Sequence, residues 1–277
     1  MDLRFTIDHD LCLQCGDCAD DCPYHIIDMT SGLPALNPAR VHHCIGCQHC
    51  LAVCPTGALS IFGLDPRESL PLPESLPTRE QTAALLRGRR SVRRFGSKSL
   101  PPEEIDFLLR TVANAPTGKN RRQSLVTLID DPAVMDALRR RTMAALGRVV
   151  AERRLPREFC YFRHVVKAWD QGRDIIFRNA PHLLTVSAPA TEDSAPADIL
   201  IAMTSFELLA SSAGIGVLWN AMIPQVFSLI PEEDMNGLLG IPADHVRGPF
   251  LLFGRPAVRY YRTVQRDQIQ VNRVRLP

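Results

Sequence analysis

Eight cysteines stand in the first 54 residues of this 277-residue chain, in two copies of one spacing. Cys12, Cys15, Cys18 and Cys22 form C-x2-C-x2-C-x3-C ahead of Pro23; Cys44, Cys47, Cys50 and Cys54 repeat it ahead of Pro55. Three thiolates at i, i+3 and i+6 on one tight loop can wrap three corners of an iron–sulfur cubane. The fourth ligand must arrive from elsewhere, because the next cysteine sits past the turn. Zinc sites pair C-x2-C units across longer gaps and do not crowd three cysteines together in this way. Disulfides need an oxidising compartment, whereas Met1–Asp10 is charged throughout and lacks the apolar segment of a secretory signal. The chemistry is therefore electron transfer, one electron at a time, through two [4Fe-4S] clusters.

The spacing resembles that of bacterial-type two-cluster ferredoxins, over roughly residues 1–62. In that pattern the fourth cysteine of each run serves the other cluster. The resemblance assigns Cys12, Cys15, Cys18 and Cys54 to one centre, and Cys44, Cys47, Cys50 and Cys22 to the other. Phe5–Asp8 and Leu59–Phe62 are predicted as the short end strands. Residues 1–62 hold seven acids and two bases, a net charge of −5, so the remainder of this +2 chain carries +7. An acidic electron carrier and a basic partner would meet with complementary fields, although each half also simply solvates itself. Cys160 stands alone and reads as a small packed side chain.

The elements that must use these electrons follow a linker, residues 63–78. Pro66, Pro71, Pro73 and Pro77 predict an extended, fairly stiff stretch there. Residues 79–277 form the second domain. Thr78-x-x-Gln81 reads as a capping box before a helix through Arg87, and Pro101–Glu104 opens another to Val112. Ser124–Ile129 reads as a strand, 132–154 and 158–178 as helices, Leu183–Ser187 as a strand and 197–213 as an apolar helix. A short helix is predicted over 231–239 and a last strand over 249–254. Helices and strands mix without regular βαβ alternation, which predicts an α+β fold. A 45% hydrophobic content suffices for one sizeable core plus a small module.

Four segments of the second domain carry candidate chemistry. Arg89-Arg90-Ser91-Val92-Arg93-Arg94-Phe95 is either a solvated basic face or an anion clamp, since guanidinium groups bind phosphate bidentately and a hydroxyl adds a donor. Ala115-Pro116-Thr117-Gly118-Lys119-Asn120 is by itself only a turn. The apolar helix ends at Gly214-Ile215-Gly216, ahead of Trp219-Asn220-Ala221-Met222. This follows a helix rather than a strand and lacks a third glycine, so it is no dinucleotide fingerprint; its glycines suit a helix C-cap and a close backbone approach. Phe253-Gly254-Arg255-Pro256 leads to Arg259, Tyr260, Tyr261 and Arg262.

In this order the segments resemble the nitroreductase family of FMN enzymes, over about residues 79–266. The resemblance implies an α/β/α sandwich and a homodimer with flavin sites at its two-fold interface. Arg89, Arg90, Ser91 and Arg93 would hold the flavin phosphate and ribityl chain, with Arg262 (Arg259 second) returning to the phosphate. Pro116, Thr117, Gly118 and Asn120 would approach from the neighbouring subunit, and Trp219, Asn220 and Ala221 would lie near the ring. The family's Q-P-W or Q-P-V continuation is replaced here by Arg121-Arg122-Gln123-Ser124. By the same resemblance, residues 158–178, with Phe159, Tyr161, Phe162, Trp169 and Phe177, either roof the flavin pocket or pack as an ordinary helix.

The implied function is an FMN-dependent oxidoreductase fed through its clusters. It would reduce an organic acceptor (nitroaromatic, quinone or activated alkene) in two-electron steps, with the chemistry assigned to FMN and no catalytic side chain. The external donor would be a redox protein or NAD(P)H. Two other readings stay open: an NAD(P)H-fed flavoprotein passing electrons out through the clusters, and a non-enzymatic electron-transfer or redox-sensing protein. No recognition element for nucleic acid and no membrane span is predicted, and reduced cysteine ligands point to the cytoplasm.

Overall fold

The computed structural model describes residues 3–230 and 237–276. The chain divides into two compact units: Met1–Thr78 with Lys119–Arg121, and Arg79–Gly118 with Arg122–Pro277. Three residues inside the predicted second domain thus cluster with the first unit, where Asn120 Nδ2 donates to the Ile45 carbonyl at 2.9 Å.

In the first unit, β1 (Thr6–Ile7) pairs antiparallel with β4 (Leu59–Ser60), and β2 (Ile27–Asp28) with β3 (Ala35–Leu36). The helical turns α1 (Asp17–Asp20) and α2 (His49–Ala52) occupy equivalent places in the cysteine repeat. The backbone repeats too: Gln14 and Gly16 flank Cys15 with positive φ, and Gly46 and Gln48 flank Cys47 likewise. Left-handed residues on both sides of the middle cysteine curl each loop around a common interior. Leu3, Ile26, Ile27, Leu51, Leu59 and Ile61 form the small core between the repeats.

The linker departs from the extended prediction. It contains a 3-10 turn at Pro66–Glu68 and a helical turn, α3 (Leu72–Ser75). Each starts with proline in its first turn, where the fixed φ and missing N–H cost nothing. Helix α4 (Arg79–Gly88) follows.

The second unit is built on a four-stranded antiparallel sheet of order β5-β6-β8-β7: β5 (Leu125–Ile129), β6 (His182–Pro189), β7 (Gly216–Asn220) and β8 (His245–Gly254). Alternate residues feed two cores, as strand pleating requires. Phe250, Leu252, Leu183 and Leu218 face one core, together with α6 (Pro132–Ala151), α7 (Phe162–Asp170) and α9 (Met222–Phe227). Leu251, Phe253, Leu184, Val186 and Val217 face the other, with α5 (Pro102–Val112) and α8 (Ala195–Ser212). The sheet is thus covered on both faces: the α+β class is the one read from the sequence, and the α/β/α layering is the one the family resemblance implies.

The predicted helix over 158–178 is shorter than expected, because α7 closes at Gly172, whose φ is 78°. Phe162 and Phe177 are fully buried, and Phe159 and Trp169 pack against the same core. The structure therefore spends most of this aromatic cluster on packing rather than on a roof. Tyr161 is the exposed member, donating from its hydroxyl to Gln225 Oε1 at 2.5 Å. The predicted helix over 231–239 begins outside the described residues.

Candidate functional site

The cysteines gather in two sets. Cys12, Cys15, Cys18 and Cys54 line one cavity, and Cys22, Cys44, Cys47 and Cys50 line another. Each set is three thiols of one run and the last thiol of the other. Among the described residues no group of His, Cys, Asp or Glu converges tightly enough to grip a single metal ion. Four thiols spaced around a cavity instead fit a cubane, which takes one thiolate at each iron. Burial pushes the Cys18 and Cys50 thiols up to about 11, with the neighbouring sulfurs adding to the rise. Iron must displace those protons on loading. Burial also works to raise Cys54, but hydrogen bonds from Thr56, Ala58 and Leu59 outweigh it and hold this thiol below its ordinary value. One of these, from the Ala58 N–H to Cys54 Sγ, is 3.2 Å long.

In the second unit the Arg89–Phe95 segment runs along the edge of the sheet. Ser91 forms a parallel bridge with Val217, the Val92 N–H donates to the Val217 carbonyl at 2.9 Å, and Phe95 pairs with Pro256. Val92 and Phe95 are buried, which fixes the register and leaves Arg93 and Arg94 between them exposed. Gly216 permits the approach: a Cβ there would stand 2.7 Å from Val92 Cγ2. Gly214, at φ 70°, closes α8, with the Ile215 N–H reaching back to the Ala210 carbonyl.

Arg89, Arg90 and Arg259 line a cavity of about 380 Å³ floored by Gly214, Ile215 and Gly216. Three guanidinium groups around a glycine floor suit a phosphate group. Arg259, not Arg262, borders this cavity; Arg262 lies exposed on the segment beyond. Arg93 is exposed and outside the lining. Arg90 is anchored by donating to the Arg87 and Arg89 carbonyls.

Trp219, Asn220 and Ala221 border a second cavity, of about 570 Å³, with Pro224, Arg247, Gly248 and Pro249. The Asn220 side chain is committed to the fold. Its Oδ1 accepts from the Met222 and Ile223 N–H groups at 2.9 Å, and its Nδ2 donates to the Ile176 carbonyl at 2.6 Å. Thr117 lines a third cavity with Arg122 and Ser124. The Gly118 N–H donates to Asp198 Oδ1 at 3.0 Å, and Ser194 Oγ to Asp198 Oδ2 at 2.9 Å. Pro116 lies between α5 and the 3-10 turn at Gly118–Asn120.

Sequence reasoning missed two buried carboxylates of α8, Asp198 and Glu207. A lone acid within an apolar helical run was the available signal. Glu207 Oε1 lies 2.8 Å from Arg89 Nη1, and its Oε2 accepts from Trp219 Nε1 at 2.9 Å.

Residues 86–254 match the nitroreductase family profile, more than half of the chain. The chain belongs to the nitroreductase family. Residues 10–59 of this nitroreductase-family chain match the 4Fe-4S dicluster domain. Its fold is shared with a nitroreductase with bound FMN from Bacteroides fragilis NCTC 9343, at 21% identity and TM-score 0.53, covering 70% of this chain and 99% of that one. A nitroreductase with bound FMN from Desulfitobacterium hafniense DCB-2 gives 21% identity, TM-score 0.55, and 69% and 98% coverage. An FMN-dependent nitroreductase from Clostridium difficile R20291 gives 19%, 0.53, and 71% and 100%. No curated protein matches the chain. Among the described residues no helix is long and apolar enough to cross a membrane.

Proposed function

We propose that this nitroreductase-family chain is an FMN-dependent oxidoreductase that takes in single electrons through two [4Fe-4S] clusters. It would reduce an organic acceptor, a nitroaromatic, a quinone or an activated alkene, in two-electron steps. The observation that carries this reading is the presence on one chain of two four-cysteine cavities and a three-arginine cavity on a nitroreductase sheet. When bound, FMN supplies the storage of electrons that arrive singly and their delivery as a pair.

The chain's own groups supply the rest. Arg89, Arg90 and Arg259 neutralise the FMN phosphate, and the Ser91 hydroxyl adds a donor. The cavity beside Trp219 and Ala221 offers apolar walls, Trp219, Pro224 and Pro249, to the ring and the acceptor. The eight thiolates hold the clusters. Exposed apolar side chains on the C-terminal segment, Tyr260, Tyr261, Val264, Ile269, Val271 and Val274, support a homodimer in which a second copy covers them. Thiolate ligands kept reduced fit the cytoplasm.

Anaerobic purification with iron and flavin counts tests the assignment. About eight irons and one FMN per chain are expected. A colourless preparation, or one with flavin and no iron, would overturn it. Stopped-flow mixing tests the direction of flow. Reduced ferredoxin is expected to bleach clusters before flavin, whereas NAD(P)H bleaching the flavin first, with clusters following, would reverse it.

A further inference from the structure

Glu207 bonds both Arg89, which precedes the segment bridged to β7, and Trp219 on β7 itself. It is buried in an otherwise apolar stretch of α8, where an unpaired carboxylate would be costly. Each of its oxygens has one donor. Oε1 takes Arg89 Nη1 at 2.8 Å, on the side of the three-arginine cavity; Oε2 takes Trp219 Nε1 at 2.9 Å, on the side of the second cavity. Arg89 has lost most of its exposure and follows the last turn of α4, so its guanidinium has few places to swing.

We propose that Glu207 is a positioning residue for flavin binding. It holds the Arg89 guanidinium in the orientation that grips the phosphate, and it is itself held by the indole of Trp219. This inference rests on the assignment of the arginine cavity to the FMN phosphate. The planar guanidinium presents its donors in a fixed fork. With Nη1 fixed on Glu207, the remaining N–H groups are left to an anion without a rotamer search. The carboxylate also forms a charge-assisted bond at each oxygen, which a neutral amide cannot reproduce. Glutamine offers one acceptor where two donors converge, so either Arg89 or Trp219 is released.

The test measures equilibrium binding of FMN and of riboflavin, which lacks the phosphate, to the full-length, cluster-loaded chain stripped of its flavin. Loss of flavin emission gives the dissociation constants. Glu207→Gln is expected to weaken FMN about tenfold or more, the scale of one charge-assisted hydrogen bond, and to change riboflavin less than about threefold. Arg89→Gln is expected to lose a similar factor, and the double variant to be no weaker than Arg89→Gln alone, because both act through one contact. If Glu207→Gln fails to fold, Glu207→Asp, which keeps the charge but shortens the reach, should show the same selective loss of FMN. Unchanged or tighter FMN binding, equal loss of both flavins, or fully additive losses in the double variant would overturn the role of Glu207 while leaving the phosphate assignment standing. A wild-type chain that binds riboflavin as tightly as FMN would instead remove the phosphate assignment, and the inference with it.

Discussion

Replacing Gly216 by alanine tests whether the close packing of Val92 on β7 holds the arginine segment in place. The new Cβ would stand 2.7 Å from Val92 Cγ2 and 2.9 Å from its Cβ and Cγ1, closer than such contacts are tolerated. Val92 is buried and tied to Val217 by its N–H, so the segment must shift to make room. Overpacking of this kind costs about 1–3 kcal/mol. Restricting the unfolded chain returns about 0.4–1 kcal/mol. Taking the middle of each range, the net loss is about 1.3 kcal/mol, which in a unit of this size lowers Tm by about 3–5 °C. Gly147 in α6 is the control: nothing lies within 4 Å of its Cβ position, and the same substitution in a helix should stabilise by about 0.5–1 kcal/mol. Thermal unfolding followed by circular dichroism, with flavin retention on gel filtration, reads both. Gly216→Ala should melt lower and release FMN more readily. Val92→Ala in the same chain removes Cγ1 and Cγ2 and should recover part of both. A Gly216→Ala chain that melts like wild type and keeps its flavin would refute the packing argument.

Two further outcomes follow from other parts of the fold. Cys12→Ser combined with Cys54→Ser should leave one cluster and about four irons, because both thiols line one cavity; ligation within each run would instead damage both clusters. Iron analysis and the electron paramagnetic resonance of the reduced chain decide it. His182 is buried, its Nε2 accepting from the Leu100 N–H at 2.8 Å, and burial pushes its pKa below the usual 6.5 despite the pull of Asp130. The unfolded chain takes up a proton below pH 6.5 that the folded chain resists, so this stability is complete above 6.5 and is lost as pH falls through the folded value. His182→Gln should therefore flatten the fall in Tm between pH 7 and pH 5, and parallel curves for the two proteins would count against it.

The cysteine spacing gave away the clusters because metal ligation constrains residue types that little else requires in that density. Strand and helix order was legible for a similar reason. Residues 183–186 of β6 and 250–253 of β8 are apolar but for Thr185, and a sheet covered on both faces needs such runs. Proline-rich composition misled in the linker, where prolines open short turns instead of extending the chain. The aromatics of 158–178 read equally as a roof or as helix packing, and most are core, a distinction that composition does not make.

Spacing alone determined the ligand types, the two-module order and the alternation that makes the sheet, since these depend on residues near in sequence. Tertiary structure decided that Arg259 rather than Arg262 lines the cavity with Arg89, that Asn220 serves the backbone, and that Glu207 stands between Arg89 and Trp219. The Arg89–Glu207 contact joins residues 118 positions apart, and the packing of α8 against the sheet brings Glu207 within hydrogen-bonding reach of Trp219 as well.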